Sequence, residues 1–319
     1  MQEQLTPDFG DYELLDTGDF EKLERFGRYV TRRPEPQAIW RRSLAEEEWR
    51  RMADASFRRD ARSDERGEWR LAPGMPDRWV VEYAYKRMRL RMRLGLTSFK
   101  HVGIFPEQAA NWNFIYDNCR ALAGDGPTDG ERVAAVGSGV ARGGAPKVLN
   151  LFAYTGAASV ACAAAGASVC HVDAAKGMVS WARENAKSSG LEDAPIRWIV
   201  DDCAKFVERE IRRGRRYDAV IMDPPSYGRG PSGEIWKLEE NLYPFVKLVA
   251  GVLSDRPLFF LINSYTTGLA PSVLTYILET LLTKRYGGHT VSDELGLPVA
   301  ESGLILPCGA AGRWTSAGK

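Results

Sequence analysis

Between residues 147 and 263 five short apolar runs alternate with stretches of helical period, and no other feature of the chain narrows its fold as much. The runs fall at 147–152, 168–173, 196–200, 217–223 and 258–263, and the helical stretches between them at 157–165, 175–189, 204–213 and 238–253. Near-continuous apolar strands are buried on both faces and the intervening helices cover them, so the pattern predicts a parallel sheet with helices on either side. A further helix at 273–282 and apolar pieces near Thr290 and Leu304 would complete a doubly wound, mostly parallel α/β sheet of seven strands. Such sheets bind ligands beyond the carboxyl ends of their strands, where the winding reverses. The residues that follow each strand therefore carry the functional question.

The first strand runs into Asn150-Leu-Phe152-Ala-Tyr154-Thr155-Gly156. Glycine just past a strand permits a tight turn and close approach of a ligand, and the next helix offers free N–H groups to a carboxylate. Neither a GxGxxG nor a P-loop pattern is present. Asp173 ends the second strand, where a carboxylate can take the two hydroxyls of a ribose or cap the next helix. After the third strand, Asp202 is placed to accept from an adenine amino group while the Cys203 N–H meets the ring, and Asp201 is left as a cap or a solvated acid. The fourth strand runs into Asp223-Pro224-Pro225-Ser226-Tyr227-Gly228. Two prolines stiffen that turn and are expected to leave their carbonyls pointing outward. A carboxylate, a rigid carbonyl and an aromatic face suit a flat polar group such as a nucleobase.

The first hundred residues have another texture, rich in Arg, Glu and Trp. Strands are expected at 11–16 and 28–32, and a short helix at 43–51 capped by Ser43 with Glu46 three residues on. The 79–94 stretch alternates strictly at its end: Met88, Leu90, Met92 and Leu94 face one way, Arg87, Arg89, Arg91 and Arg93 the other. A small β-rich domain over 1–97 follows, with the α/β domain over 98–319 and a flexible Gly- and Ala-rich insertion at about 121–146. Formal net charge is only +1, so any acidic partner must be met by a local patch such as the arginine row. That row can equally be a solvated face paired with Glu46–Glu48 or Asp54. Five cysteines without CxxC spacing suggest neither a disulfide framework nor a metal site, and fit a reducing cytoplasm. No apolar run reaches the length of a membrane span, and no secretory leader is visible at 1–10.

Taken together, Phe152-x-Tyr154-Thr155-Gly156, Asp173, Asp201-Asp202 and Asp223-Pro-Pro-x-Tyr227 resemble the class I, Rossmann-like S-adenosylmethionine-dependent methyltransferases. More narrowly they resemble the bacterial enzymes that methylate large-subunit ribosomal RNA on cytosine carbon-5 or guanine nitrogen-7. Gly103-Ile-Phe105-Pro-Glu-Gln108 is similar to the Gly-x-Phe-x-x-Gln loop that closes over the cofactor in that family, with Pro106-Glu107 as a departure. The resemblance covers about 98–280. It implies a cofactor site drawn from Phe105, Gln108, Asn150, Phe152, Tyr154, Thr155, Gly156, Asp173, Asp202, Cys203 and Asp223. It also implies a substrate base held by Asp223, Pro224 and Tyr227.

One departure bears on the chemistry. The carbon-5 enzymes carry a nucleophilic cysteine just after the fifth strand, where this chain reads Ile262-Asn263-Ser264-Tyr265-Thr266. Cytosine carbon-5 is a poor nucleophile until a thiolate adds to the ring, so the expected target is a nitrogen or oxygen of an RNA base. Cys308 would revive carbon-5 chemistry only if its loop reached the pocket. RNA contact is assigned to Arg87, Arg89, Arg91 and Arg93. A protein side chain or small metabolite is the alternative substrate, and a non-catalytic RNA-binding module the alternative from another class.

Overall fold

The computed structural model describes residues 3–60, 66–121, 144–229 and 235–317. Most of the expected insertion, 122–143, lies outside them. The chain divides into two compact units. An amino-terminal unit comprises Glu3–Ala110 and Leu295–Cys308, and a sheet unit comprises Asn111–Glu294 with Gly309–Lys319. The amino-terminal unit thus runs past residue 97 and also takes a segment from near the other end of the chain.

The amino-terminal unit is built from β1 (Glu3–Leu5), β2 (Tyr12–Gly18), β3 (Glu21–Phe26), β4 (Tyr29–Pro34), α1 (Glu46–Met52), β5 (Ala55–Arg59), β6 (Gly67–Leu71), β7 (Arg78–Tyr85) and β8 (Met88–Gly95). Strands β2 to β6 form one sheet in sequence order, and β7 and β8 a separate antiparallel hairpin. The 79–94 run is therefore two strands, reversed at Lys86, whose φ of 50° makes the turn. On β8 the expected alternation holds: Met88, Leu90, Met92 and Leu94 are fully buried, while Arg87, Arg89 and Arg91 are exposed and Arg93 half-buried. Helix α1 starts later than expected. Ala45, not Ser43, is its N-cap, and the Glu48 side chain accepts from the Ala45 N–H at 3.2 Å. The Ser43 N–H is turned to Asp16 instead, whose buried carboxylate also takes the Leu44 N–H and the Trp49 indole N–H.

The sheet unit contains α2 (Ala109–Arg120, from Asn111 on), β9 (Lys147–Leu151), α3 (Ala157–Ala164), β10 (Ser168–Asp173), α4 (Lys176–Ser188), β11 (Ile196–Val200), α5 (Cys203–Arg212) and β12 (Ala219–Met222). A short hairpin, β13 (Tyr227–Arg229) and β14 (Ile235–Lys237), precedes α6 (Leu238–Val249), β15 (Phe259–Ser264), α7 (Pro271–Leu278), β16 (His289–Pro298) and β17 (Ile305–Thr315). Eight strands are joined in the order β1-β16-β17-β15-β12-β9-β10-β11, one more than the seven expected, with β1 added beside the end of β16 that belongs to its own unit. Strands β15, β12, β9, β10 and β11 are parallel, and β17 runs antiparallel to β15. The expected doubly wound α/β sheet is present, and its winding reverses between β9 and β12.

Each face of the sheet has its own chemistry. Leu149, Leu151, Val172, Val220, Met222, Phe260 and Ile262 join residues of α5, α6 and α7 in one apolar core. Burying side chains of that size stabilises by about 1.5–3 kcal/mol each. The opposite face carries α2, α3 and α4 and is partly polar, with Asn150 of β9 beside His171 of β10 and His171 beside Trp198 of β11.

Candidate active site

The carboxyl ends of β9, β10, β11 and β12 bring most of the expected residues to one end of the sheet. After β9 the backbone takes two unusual steps, with Phe152 at φ 54° and Tyr154 at φ 50°, before Gly156 at φ 87° caps α3. Such φ values disfavour residues with a Cβ, so the turn must be held from outside. Three contacts hold it. The Phe152 N–H points at Cys203 Sγ at 3.4 Å, the Tyr154 N–H donates to Asp173 Oδ2 at 2.9 Å, and Asn185 Nδ2 of α4 donates to the Thr155 carbonyl at 2.8 Å.

Gly156 is needed for a reason the sequence does not disclose. A Cβ there would lie 2.8 Å from the Cβ of Ala182 on α4. The glycine therefore sets how closely the turn packs against α4, as well as allowing the left-handed φ. Gly156 has no side chain with which to cap α3, so the first N–H groups of that helix receive nothing from their N-cap residue.

Asp173 Oδ1 accepts from the Ala175 N–H at 2.8 Å while Oδ2 takes Tyr154. Each oxygen keeps a further lone pair. Burial pushes the Asp173 carboxyl up, and the two backbone donors oppose the shift. Asp202 is the N-cap of α5 and accepts from the Lys205 N–H at 2.9 Å, whereas Asp201 pairs with Arg209. The capping role left open for Asp201 thus falls to Asp202. Cys203 is buried in the first turn of α5, and burial pushes its thiol far up.

Asn150 lies lower than its neighbours. Its Nδ2 donates to Ser159 Oγ at 2.9 Å, and that hydroxyl is 3.0 Å from His171 Nδ1, all three being buried beneath the turn. Burial pushes His171 down to about 3, so the imidazole is neutral, and its Nε2 has no hydrogen-bond partner. Ser159, His171 and Asn185 were not singled out from the sequence. A serine on a small-residue helix and a histidine in an apolar strand carry no local signal of a shared chain.

After β12, the Asp223 N–H reaches the Leu151 carbonyl at 3.4 Å, across the point where the winding reverses. Pro224 is buried and Pro225 exposed. The Pro225 carbonyl does not point outward as expected: the Trp236 indole N–H donates to it at 2.6 Å. Trp236 in turn meets Phe152 and Phe245, with ring centroids 5.8 and 5.5 Å away. Tyr227 stays half exposed, at 54%. Ser226 Oγ accepts from Thr266 Oγ1 at 2.7 Å, tying the loop after β12 to the loop after β15.

At the end of β15, Asn263 Oδ1 accepts from Asn111 Nδ2 at 2.8 Å, and Asn111 Oδ1 takes the Arg313 Nε at 2.9 Å. Ser264, in the segment after β15 that carries no cysteine, is buried. Phe105, Gln108 and Cys308 belong to the amino-terminal unit. There burial pushes the Cys308 thiol well up and the neighbouring Glu107 adds to the shift, so it is held as a neutral thiol. Among the described residues no cluster could hold a metal ion, and no helix is long and apolar enough to cross a membrane.

Residues 135–241 match the family model of the S-adenosylmethionine-dependent methyltransferases. The chain is 29% identical over 167 residues to the ribosomal RNA large subunit methyltransferase K/L of Shewanella frigidimarina, and 26% identical over 154 residues to the methyltransferase K of Neisseria meningitidis serogroup B. Those stretches are 52% and 46% of this chain but only 20% and 40% of the relatives. A crystal structure of the S-adenosylmethionine-dependent methyltransferase from Agrobacterium tumefaciens covers far more. It is 34% identical, superposes with a TM-score of 0.84, and the match takes in 99% of this chain and 93% of that one. On that extent of agreement the chain belongs to the S-adenosylmethionine-dependent methyltransferases.

Proposed function

We propose that this methyltransferase modifies a nitrogen or oxygen of a base in RNA, with ribosomal RNA as the substrate class. One observation carries the reading. At the carboxyl end of β12 a carboxylate, a proline pair and a half-exposed tyrosine stand beside the turn after β9, and no thiol follows β15. The names of the curated relatives, which act on large-subunit ribosomal RNA, support the substrate class.

The residues present fit S-adenosylmethionine. Asp173 keeps lone pairs for a ribose diol, and the uncapped start of α3 offers N–H groups to a carboxylate. At the start of α5, Asp202 and the Cys203 N–H suit an adenine edge. The turn over Phe152, Tyr154, Thr155 and Gly156, supported from below by Asn150, supplies the wall between them. Phe105 and Gln108 are assigned to the same cofactor from the resemblance. When bound, the sulfonium supplies an electrophilic methyl carbon. The chain's task is then to align the acceptor and exclude water, which is where most of the acceleration of an in-line displacement arises. Asp223 accepts a hydrogen bond from the acceptor's N–H and so turns its lone pair toward the methyl carbon. The Pro224 carbonyl and the Tyr227 ring hold the base flat. A ring nitrogen or amine needs only such an acceptor, not a strong base.

Arg87, Arg89, Arg91 and Arg93 are assigned to phosphate contacts. Arg89, Arg91 and Arg93 stand on one face of β8, with Arg87 in the turn before it. Of the acids first considered as partners, Glu46 pairs with Arg32, Arg42 and Arg50, Glu48 accepts the Ala45 N–H, and Asp54 accepts the Val30 N–H. The exposed Glu82 carboxylate lies 3.9 Å from Arg91.

The experiment is transfer of labelled methyl groups to RNA and to protein prepared from cells lacking the gene. Label is expected in the RNA fraction alone. Label in protein or in small molecules would move the substrate to that class, and cofactor binding without transfer to any fraction would leave an RNA-binding module.

A further inference from the structure

Helix α5 begins at the active end of the sheet and ends at the opposite one, about 15 Å away for its ten residues. There the sequence reads Arg209-Glu-Ile-Arg212-Arg213-Gly-Arg215-Arg216, the densest run of positive charge in the sheet unit. Part of it has an internal purpose. Arg209 pairs with Asp201, and Glu210, buried, receives the Tyr217 hydroxyl at 2.6 Å and draws in Arg197 and Arg213. The Tyr217 contact fastens the end of the helix to the segment before β12, and the Arg197 and Asp201 contacts fasten it to β11 and the residue that follows.

Arg212, Arg215 and Arg216 take no part in those contacts, and Arg216 Nη1 donates to the neighbouring Arg215 carbonyl at 3.1 Å. All three are exposed, and among the described residues no carboxylate lies within ion-pair distance of them. Asp218, two residues on, is already engaged by the Lys147 N–H and the Ser254 hydroxyl. The charge extends sideways. Arg285 is exposed and stacks its guanidinium 4.8 Å from the Tyr286 ring centre. The Tyr286 ring lies 5.9 Å from that of Trp314, which pairs with Phe260 beside Val220 near the start of β12, so Arg285 stands at the same end of the sheet as Arg216. A helix carboxyl terminus carries about half a negative charge, and Arg212 in its last turn already answers that. Arg215 and Arg216 lie beyond the helix.

We propose that Arg212, Arg215, Arg216 and Arg285 form a second phosphate-binding surface, on the edge of the sheet unit opposite the active end, that engages the backbone of a folded RNA. The surface rests on the RNA reading above and adds to it a requirement for substrate size. Guanidiniums bind phosphate as planar forks and carry no base information there, so the surface adds affinity and register but no sequence preference. A short single strand that fills only the active end cannot reach it, whereas a folded RNA can span both.

The test uses the full chain with Arg212, Arg215 and Arg216 all replaced by Gln, and a companion with all three replaced by Lys. Deproteinised large-subunit ribosomal RNA from cells lacking the gene is titrated over a range of salt, alongside a short single-stranded oligonucleotide. For the long RNA the Gln variant is expected to lose roughly tenfold or more in affinity and to lower the slope of log affinity against log salt by about 2–3. The Lys companion should retain the slope, and both variants should bind S-adenosylmethionine and the short strand as the unsubstituted chain does. An unchanged slope in a Gln variant that still methylates RNA overturns this surface and leaves the substrate reading intact. Failure of the unsubstituted chain to bind or methylate any RNA overturns both. An unchanged RNA slope with lost binding to phosphatidylglycerol vesicles assigns the surface to lipid instead.

Discussion

The Tyr154 N–H and Asp173 Oδ2 stand 2.9 Å apart, so the strained turn after β9 is held by the carboxylate that ends the neighbouring strand. That side chain fixes the turn, and it is also the one proposed to take the ribose hydroxyls.

Replacing Asp173 by Ala is expected to weaken S-adenosylmethionine binding by about 1–3 kcal/mol, through loss of charge-assisted hydrogen bonds. The affinity of the unsubstituted chain should also fall with pH earlier than an ordinary aspartate would dictate, because burial raises this carboxyl and only its ionised form accepts from both hydroxyls. Calorimetry across acidic pH measures both effects. Equal affinity in a folded Asp173→Ala protein would remove the residue from the site.

Gly156→Ala combines a left-handed φ with a Cβ driven onto Ala182. A destabilisation of roughly 1–3 kcal/mol is expected. Ala182→Gly by itself is expected to cost about 1 kcal/mol, because it puts a glycine inside α4. In a double-mutant cycle it should offset the packing share of Gly156→Ala, so the double variant should lose less than the sum of the two single losses, and strict additivity would mean that the contact with Ala182 costs nothing.

His171 offers a stability test with a definite sign. Burial lowers it to about 3 from an ordinary 6.5, so between those values the unfolded chain takes up a proton that the folded chain refuses. Its contribution is complete above 6.5 and declines as pH falls toward 3, by about 1.4 kcal/mol per pH unit. His101 is lowered to about 3 as well, by burial and by nearby Arg33, and adds a decline of the same sign. His171→Gln, which keeps a polar atom for Ser159 but cannot titrate, should remove its share. Urea unfolding from pH 8 to pH 5 compares the slopes, and identical ones would contradict a neutral buried imidazole.

Cys308→Ser and Cys203→Ser should each retain most methyl transfer. Both thiols are pushed up by burial, and neither is available as a thiolate to attack a ring. Loss of turnover in Cys308→Ser with folding and cofactor affinity intact would restore carbon-5 chemistry.

Replacing Arg89 and Arg91 by Gln should weaken RNA binding and reduce its salt slope by about 2, one for each phosphate contact removed. S-adenosylmethionine affinity should not change. A slope unaffected by both substitutions would identify the row as a solvated face.

The parallel sheet was legible because five apolar runs of strand length leave little else to build, and Asp173 and Asp223 stood out as acids ending such runs. What escaped is what depends on neighbours in space. Asp201 and Asp202 are adjacent identical residues, and only the start of α5 decides which one caps. Asn150 follows an apolar residue in a buried strand, and nothing local says that it turns down to Ser159 and His171. The 79–94 run concealed a reversal because Lys86 carries the positive φ that a glycine would have advertised. Asn185 is an unremarked polar residue near the end of a helix until the Thr155 carbonyl is found opposite it.

The segment Leu295–Cys308 has a consequence for the order in which the protein is made. In the amino-terminal unit the Ala300 and Glu301 N–H groups donate to the carbonyls of Leu14 and Leu15, and the Thr6 N–H donates to the Gly296 carbonyl. The Leu14 and Leu15 carbonyls find those partners 286 residues further along the chain, so the amino-terminal unit cannot close until that segment has been made.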